Sequence, residues 1–167
     1  MAILEIKKYP DPILKKKTEL VKTFDDQLGK LLDSMAETMY SANGIGLAAP
    51  QVGSLSRIAV IDVSRSGDSL QEFINPVIVK QSGKTKSEEG CLSIPDFRDS
   101  VQRSVLVTVT AQDRHGNDFS VDADDLLAIC LQHEIDHLEG ILFTDRLSRL
   151  KRELFKRWFQ KQQWDQE

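Results

Sequence analysis

The chain has 167 residues, the length of about one domain, with 22 Lys and Arg against 26 Asp and Glu and a formal charge of −4. Hydrophobic residues make up 40% and charged residues 29%, which excludes wholesale disorder, and no apolar run nears the roughly 20 residues a membrane span needs. Two cysteines and three histidines exclude a disulfide framework and restrict the soft metal ligands to five side chains.

The charge is unevenly spread. Residues 1–145 hold 15 Lys and Arg against 23 Asp and Glu, whereas residues 146–164 hold seven against one. A basic tail therefore follows an acidic body. Met1 to Lys17 alternates charged and apolar residues and lacks the apolar core and cleavage site of a signal peptide. With free cysteines, this predicts a reducing cytoplasm; a mature organellar protein would read the same.

In chain order, the first 22 residues read as loop, because Pro10 and Pro12 block regular helix and Asp11 favours a turn. Thr23 and Asp26 resemble a capping box and predict a helix start. Leu28, Leu31, Leu32, Met35 and Met39 give that helix one apolar face, and Asn43-Gly44 ends it. Gly44 to Gly53 reads as a glycine-flanked loop. Arg57–Val63 and Phe73–Val79 are strand candidates, with Pro76 implying an edge or a break in the second. Ser87–Pro95 is a loop bearing reactive side chains. Residues 105–110 form a strand that the His115-Gly116-Asn117 turn connects to a short partner at Phe119–Val121. Asp122 caps a core helix running through Leu138, with Gly140 as its stop. A basic helix follows at about Ser148–Gln163. The expected fold is α+β: mixed or antiparallel strands packed around a central helix, with a helical C-terminus. Residues 1–147 are expected to form the main body and 148–164 a basic helix on, or extending from, the same domain.

His133-Glu134-Ile135-Asp136-His137 matches H-E-x-x-H. Residues four apart share a helix face, so both imidazoles reach one metal ion with the glutamate beside them. Burying His and Glu on this apolar helix needs a compensating partner. A catalytic metal requires a third protein ligand and an open position. Glu139 is too close on the same helix and His115 sits at a turn. Cys91, loop-borne beside Gly90, is the better candidate, whereas Cys130 reads as a buried apolar side chain. Gly44-Ile-Gly46-Leu-Ala-Ala49 fits a dinucleotide pattern. That reading needs a strand before it and a helix after; a helix precedes it here and Pro50 follows.

Gly44-Ile-Gly-Leu-Ala-Ala-Pro-Gln51, Glu89-Gly-Cys-Leu-Ser93 and His133-Glu-Ile-Asp-His137 stand in the order and spacing of peptide deformylases. The resemblance runs from Tyr9-Pro-Asp-Pro-Ile-Leu14 to the C-terminal helix, and the helical tail looks like that of the bacterial type-1 form. It implies a hydrolase that removes the formyl group from N-terminal formyl-methionine of newly synthesised proteins and releases formate. It also implies one divalent ion on Cys91, His133 and His137, with Fe(2+) as the physiological metal and Zn(2+) or Ni(2+) able to replace it. Glu134 would serve as base and then acid. The Gln51 amide and the Leu92 backbone N–H would donate to the oxyanion. The peptide would add a strand along Ile45–Gly46 with Gly90 opposite, Arg98 would help hold it, and Ile45, Glu89, Leu126, Ile129, Cys130 and His133 would enclose the methionine side chain. Asp136 either orients a ligand from behind or is a solvated helix carboxylate.

Two other readings stay open on the residues alone. H-E-x-x-H by itself permits an ordinary metallopeptidase. The tail permits a metal-stabilised module that binds ribosomal RNA: Leu147, Leu150, Leu154 and Trp158 make a helical stripe, and Arg149, Lys151, Arg152, Lys156, Arg157 and Lys161 supply charge. The resemblance implies ribosome docking through this helix beside the enzymatic activity.

Overall fold

The computed structural model describes residues 2–165. Three helices and seven strands make up its regular structure: α1 (Asp26–Ser41), β1 (Gly46–Ala48), β2 (Ile58–Ile61), β3 (Gln71–Ser82), β4 (Thr85–Cys91), β5 (Ile94–Arg103), β6 (Leu106–Gln112), β7 (Asp118–Ala123), α2 (Asp125–Leu138) and α3 (Arg149–Asp165). Strands β1-β2-β3-β6-β7 form one antiparallel sheet in that order, and β4-β5 form a separate antiparallel pair. The fold is the α+β arrangement expected.

Several boundaries differ from the sequence expectation. α1 is capped by Asp25, whose carboxylate accepts from the Leu28 N–H at 3.0 Å; Thr23 lies outside the helix. Asp122 belongs to β7, and Asp124 takes the position before α2. Pro76 lies within β3, which is paired on both sides. It sits in a register shift between Ile74 and Val77, so the missing N–H is accommodated by a local irregularity in the ladder.

The stretch read as a loop at Ser87–Pro95 is mostly the β4-β5 hairpin, joined at Leu92-Ser93. Residues 44–53 are likewise structured: β1 leads directly into a 3-10 turn at Ala49–Val52. Its closing residue, Gly53, has φ 87°, a conformation suited to glycine.

α2 packs on the large sheet through Ala128, Cys130, Leu131 and Ile135, against Ile61, Phe73, Val107 and Val109. α1 covers a second region through Leu28, Leu32, Met35 and Met39, against Leu47, Ile58 and Val60. Each fully buried Leu, Ile, Met or Phe contributes about 1.5–3 kcal/mol by leaving water. The first cluster holds α2 on the sheet and the second holds α1 over β1 and β2.

Of the expected stripe, Leu147 and Trp158 pack against the body, but Leu150 and Leu154 do not. Phe155 is the residue α3 buries, with Trp158 and Phe159 half-buried beside it, whereas Leu150 is 70% and Leu154 52% exposed. Phe155 meets Tyr9 and Phe97 at ring-centroid distances of 5.0 and 4.7 Å. Positions 155, 158 and 159 recur at helical spacing, and their large rings fit an aromatic surface already formed by Tyr9, Phe97 and Phe143. No helix among the described residues is long and apolar enough to cross a membrane.

Candidate active site

The site is built where α2, β1 and the β4-β5 hairpin meet. Helical spacing puts His133 and His137 on one face of α2, with their Nε2 atoms 3.2 Å apart. Cys91 ends β4, and its Sγ lies 3.3 Å from His137 Nε2. Ligand atoms of the three residues all fall within 4.8 Å of one another. Three sequence-distant donors therefore converge on one point.

The donor set fits a single divalent ion of borderline or soft character, since thiolate and imidazole donors favour such metals. His133 Nδ1 lies 3.0 Å from Glu89 Oε1, which leaves Nε2 toward the shared point. His137 is 1% exposed. Burial, followed by the neighbouring His133, holds its pKa well below the ordinary imidazole value, so it stays neutral with a lone pair to offer. Its Nδ1 has no partner, one of three such buried side-chain atoms among the described residues.

Glu134 is buried beside these donors, and burial pushes its carboxyl up to about 7, near the pH at which a group can both take and give a proton. Its Oε2 lies 2.5 Å from where a Cβ on Gly46 would stand. The strand can approach this carboxylate because residue 46 has no side chain.

Gln51 is 2% exposed and fixed at both ends of its amide. Oε1 accepts from the Ala48 N–H at 3.0 Å, while Nε2 donates to Ser93 Oγ at 3.2 Å and reaches Cys91 Sγ at 3.5 Å. The amide N–H groups are thus aimed at the thiol side of the site. Leu92 forms the hairpin turn immediately after Cys91.

A cavity of about 740 Å³ opens against these groups. The other residues singled out in the sequence line it: Ile45 and Gly46 on the β1 side, Glu89, Gly90 and Arg98 on the hairpin, and Leu126, Ile129 and Cys130 on α2. Ile45 and Leu126 are 40% and 48% exposed, an apolar rim open to an incoming ligand. Burial pushes the Cys130 thiol up to about 12, so it stays protonated and serves as wall. Arg98 is exposed and lies against Glu88, with Nε 3.5 Å from its carboxylate and Nη2 donating to its carbonyl at 3.3 Å. His115 sits in the Asp113–Gly116 turn, where its N–H donates to Asp113.

Behind the site lies a charged cluster that sequence reasoning missed. Arg103, 4% exposed, donates from Nε and Nη2 to the two Glu89 oxygens at 2.8 and 2.7 Å, and from Nη1 to Asp136 Oδ2 at 2.6 Å. Burial opposes charge on Glu89, but Arg103 and then His133 prevail and hold its carboxyl down at about 2. Asp136 is not a solvated helix carboxylate: it is buried, and it bonds Arg103 and Arg146 rather than a histidine of the donor set directly. A lone arginine in a strand carries no spacing signal, and Arg103 gains its role only because the fold sets β5 behind α2.

An H-E-x-x-H helix laid on an antiparallel sheet, with a hairpin cysteine brought to the same point, defines a hydrolase site. The pattern of the polypeptide deformylase family matches residues 3–153. The peptide deformylase of Thermodesulfovibrio yellowstonii is 55% identical over 161 residues, covering 95% of this chain and 98% of that protein, and the one from Desulfotalea psychrophila is 49% identical with the same coverage. The crystal structure of a peptide deformylase from Legionella pneumophila superposes with a TM-score of 0.92 at 47% identity, over 99% of this chain and 98% of that one. The chain belongs to the polypeptide deformylase family and is an enzyme.

Proposed function

We propose that this enzyme hydrolyses the formyl group from N-terminal formyl-methionine of newly made proteins and releases formate. The observation that carries the reading is the convergence of Cys91, His133 and His137 within 4.8 Å beside Glu134, at the wall of a cavity of about 740 Å³. Membership of the family supplies the class of substrate.

Cys91, His133 and His137 would hold one divalent ion, Fe(2+) by preference, with Zn(2+) or Ni(2+) as substitutes. Such an ion, when bound, acidifies water toward neutrality and polarises a carbonyl. Glu134 takes the proton of the attacking water and delivers it to the leaving amine, a role suited to a carboxyl near 7. The Gln51 side-chain amide and the Leu92 N–H donate to the oxygen that gains charge; each such donor is worth about 3 kcal/mol in the transition state.

β1 is the outer strand of its sheet. Its free edge from Ile45 and Gly46 would take the peptide as an added strand, with Gly90 on the facing side and Arg98 beside the chain. The methionine side chain would enter between Ile45, Glu89, Leu126, Ile129, Cys130 and His133. The enzyme would act in the cytoplasm, and the basic residues exposed on α3 would dock it to the ribosome.

The test is a peptide assay. Formyl-Met-Ala-Ser should release stoichiometric formate and leave Met-Ala-Ser intact. Cleavage between residues of an unformylated peptide would instead identify a peptidase.

A further inference from the structure

The 3-10 turn at Phe143–Arg146, between α2 and α3, touches the donor set through Phe143 and reaches it indirectly through Arg146. Phe143 is buried, and its ring stacks on His133 with centroids 6.0 Å apart and planes 26° apart. Arg146 closes the turn with a side chain 43% exposed. Its guanidinium forks onto Asp136, with Nε donating to Oδ2 at 2.6 Å and Nη2 to Oδ1 at 2.7 Å. From there the contacts run inward through Arg103 and Glu89 to His133 Nδ1.

We propose that Arg146 is a positioning residue for His133, acting through Asp136, Arg103 and Glu89. The proposal rests on the reading of Cys91, His133 and His137 as a metal-holding set. The cluster pairs two carboxylates with two guanidiniums. Three of these four groups are nearly buried: Glu89 is 6%, Arg103 4% and Asp136 8% exposed. In such a setting a carboxylate without its partner seeks the nearest cation. With Arg146 absent, Asp136 has Arg103 alone, and Arg103 is drawn away from the Glu89 oxygens it forks. Glu89 then loses its fixed orientation. The ring of His133, whose Nδ1 depends on Glu89, loses its set tautomer and angle. Arg146 thus satisfies Asp136 so that Arg103 stays on Glu89. A planar fork is required, since lysine can meet only one of the two Asp136 oxygens squarely.

The experiment uses zinc-loaded protein and measures zinc affinity by equilibrium competition with a chromophoric chelator, for wild type, Arg146→Gln and Arg146→Lys. Partners that orient a metal-ligating histidine typically cost 10- to 100-fold in affinity when removed. Arg146 stands further back, so Arg146→Gln should weaken zinc about tenfold. Arg146→Lys should fall between it and wild type, and remains the informative variant if Arg146→Gln does not fold. Formate release should show reduced kcat with little change in KM. Either variant holding zinc as tightly as wild type, whether or not its Tm falls, would overturn the proposal. Wild type that binds no stoichiometric zinc would instead overturn the underlying reading of the donor set.

Discussion

Oε1 of Glu89 lies 3.0 Å from Nδ1 of His133, so one residue both lines the cavity and orients a ring of the donor set. Arg103 holds the same carboxylate in a two-pronged grip. Glu89→Gln should therefore weaken zinc affinity by about tenfold or more. It should also destabilise the fold by about 3–5 kcal/mol, because Arg103 keeps its charge with half its compensation gone. Chelator competition and urea unfolding measure the two effects separately. A variant matching wild type in both would remove Glu89 from this role.

Glu134→Ala should retain the metal and lose about 10²- to 10⁴-fold in kcat, the usual span for removing a general acid–base group. Gly46→Ala probes the same carboxylate from the other side. Its new Cβ would stand 2.5 Å from Oε2 and 3.0 Å from Cδ of Glu134, so the whole carboxylate must move. Formate release should fall by at least tenfold while metal content stays at wild-type stoichiometry. Full activity in Gly46→Ala would show that the carboxylate needs no fixed place.

Asp62 gives a pH dependence remote from the donor set. It is 2% exposed, accepts from the Ser64 and Tyr40 hydroxyls at 2.6 and 2.5 Å, and takes the N–H groups of Ser64 and Ser69. The Ser64 hydroxyl first, then that of Tyr40, holds its carboxyl below the ordinary 3.8. The folded protein therefore binds this proton less readily than the unfolded chain. Stability from Asp62 is full above that ordinary value and is lost as pH falls below it. In urea unfolding, wild type should exceed Asp62→Asn at about pH 6, and the gap should shrink toward pH 3. A constant gap would contradict the assignment.

The aromatic seat of α3 separates two kinds of substitution. Phe155→Ala should cost about 3–5 kcal/mol, since the ring is 3% exposed and lies among Tyr9, Phe97 and Trp158. Leu150→Ala should stay within about 0.5 kcal/mol. Thermal unfolding decides, and the reverse ranking would restore the leucine stripe as the buried face.

What the sequence made legible follows from periodicity and local chemistry. The four-residue spacing of His133 and His137, the glycines flanking β1 and the apolar face of α1 are local signals, and the structure keeps them. The β4 strand is not legible locally, because Ser87, Glu88, Glu89 and Gly90 have weak strand preference; pairing with β5 forms it regardless. Arg103 and Arg146 carry no local signal because each gains its role only through partners brought to it by the fold. In α3, leucine spacing and aromatic spacing competed, and the partner surface chose the rings.

The seat of α3 also joins the two ends of the chain. Tyr9, from the N-terminal segment, meets Phe155 and Phe159 with ring centroids 5.0 and 4.8 Å apart, while Phe97 from β5 completes the contact. The C-terminal helix is in this sense a clasp, and cutting it away would strip cover from an apolar surface on the catalytic body. Truncation therefore confounds the loss of the basic surface with the loss of the clasp. Charge reversal at Arg149, Arg152 or Lys156, all exposed, separates them, because it rewrites the electrostatic face and leaves the rings closed.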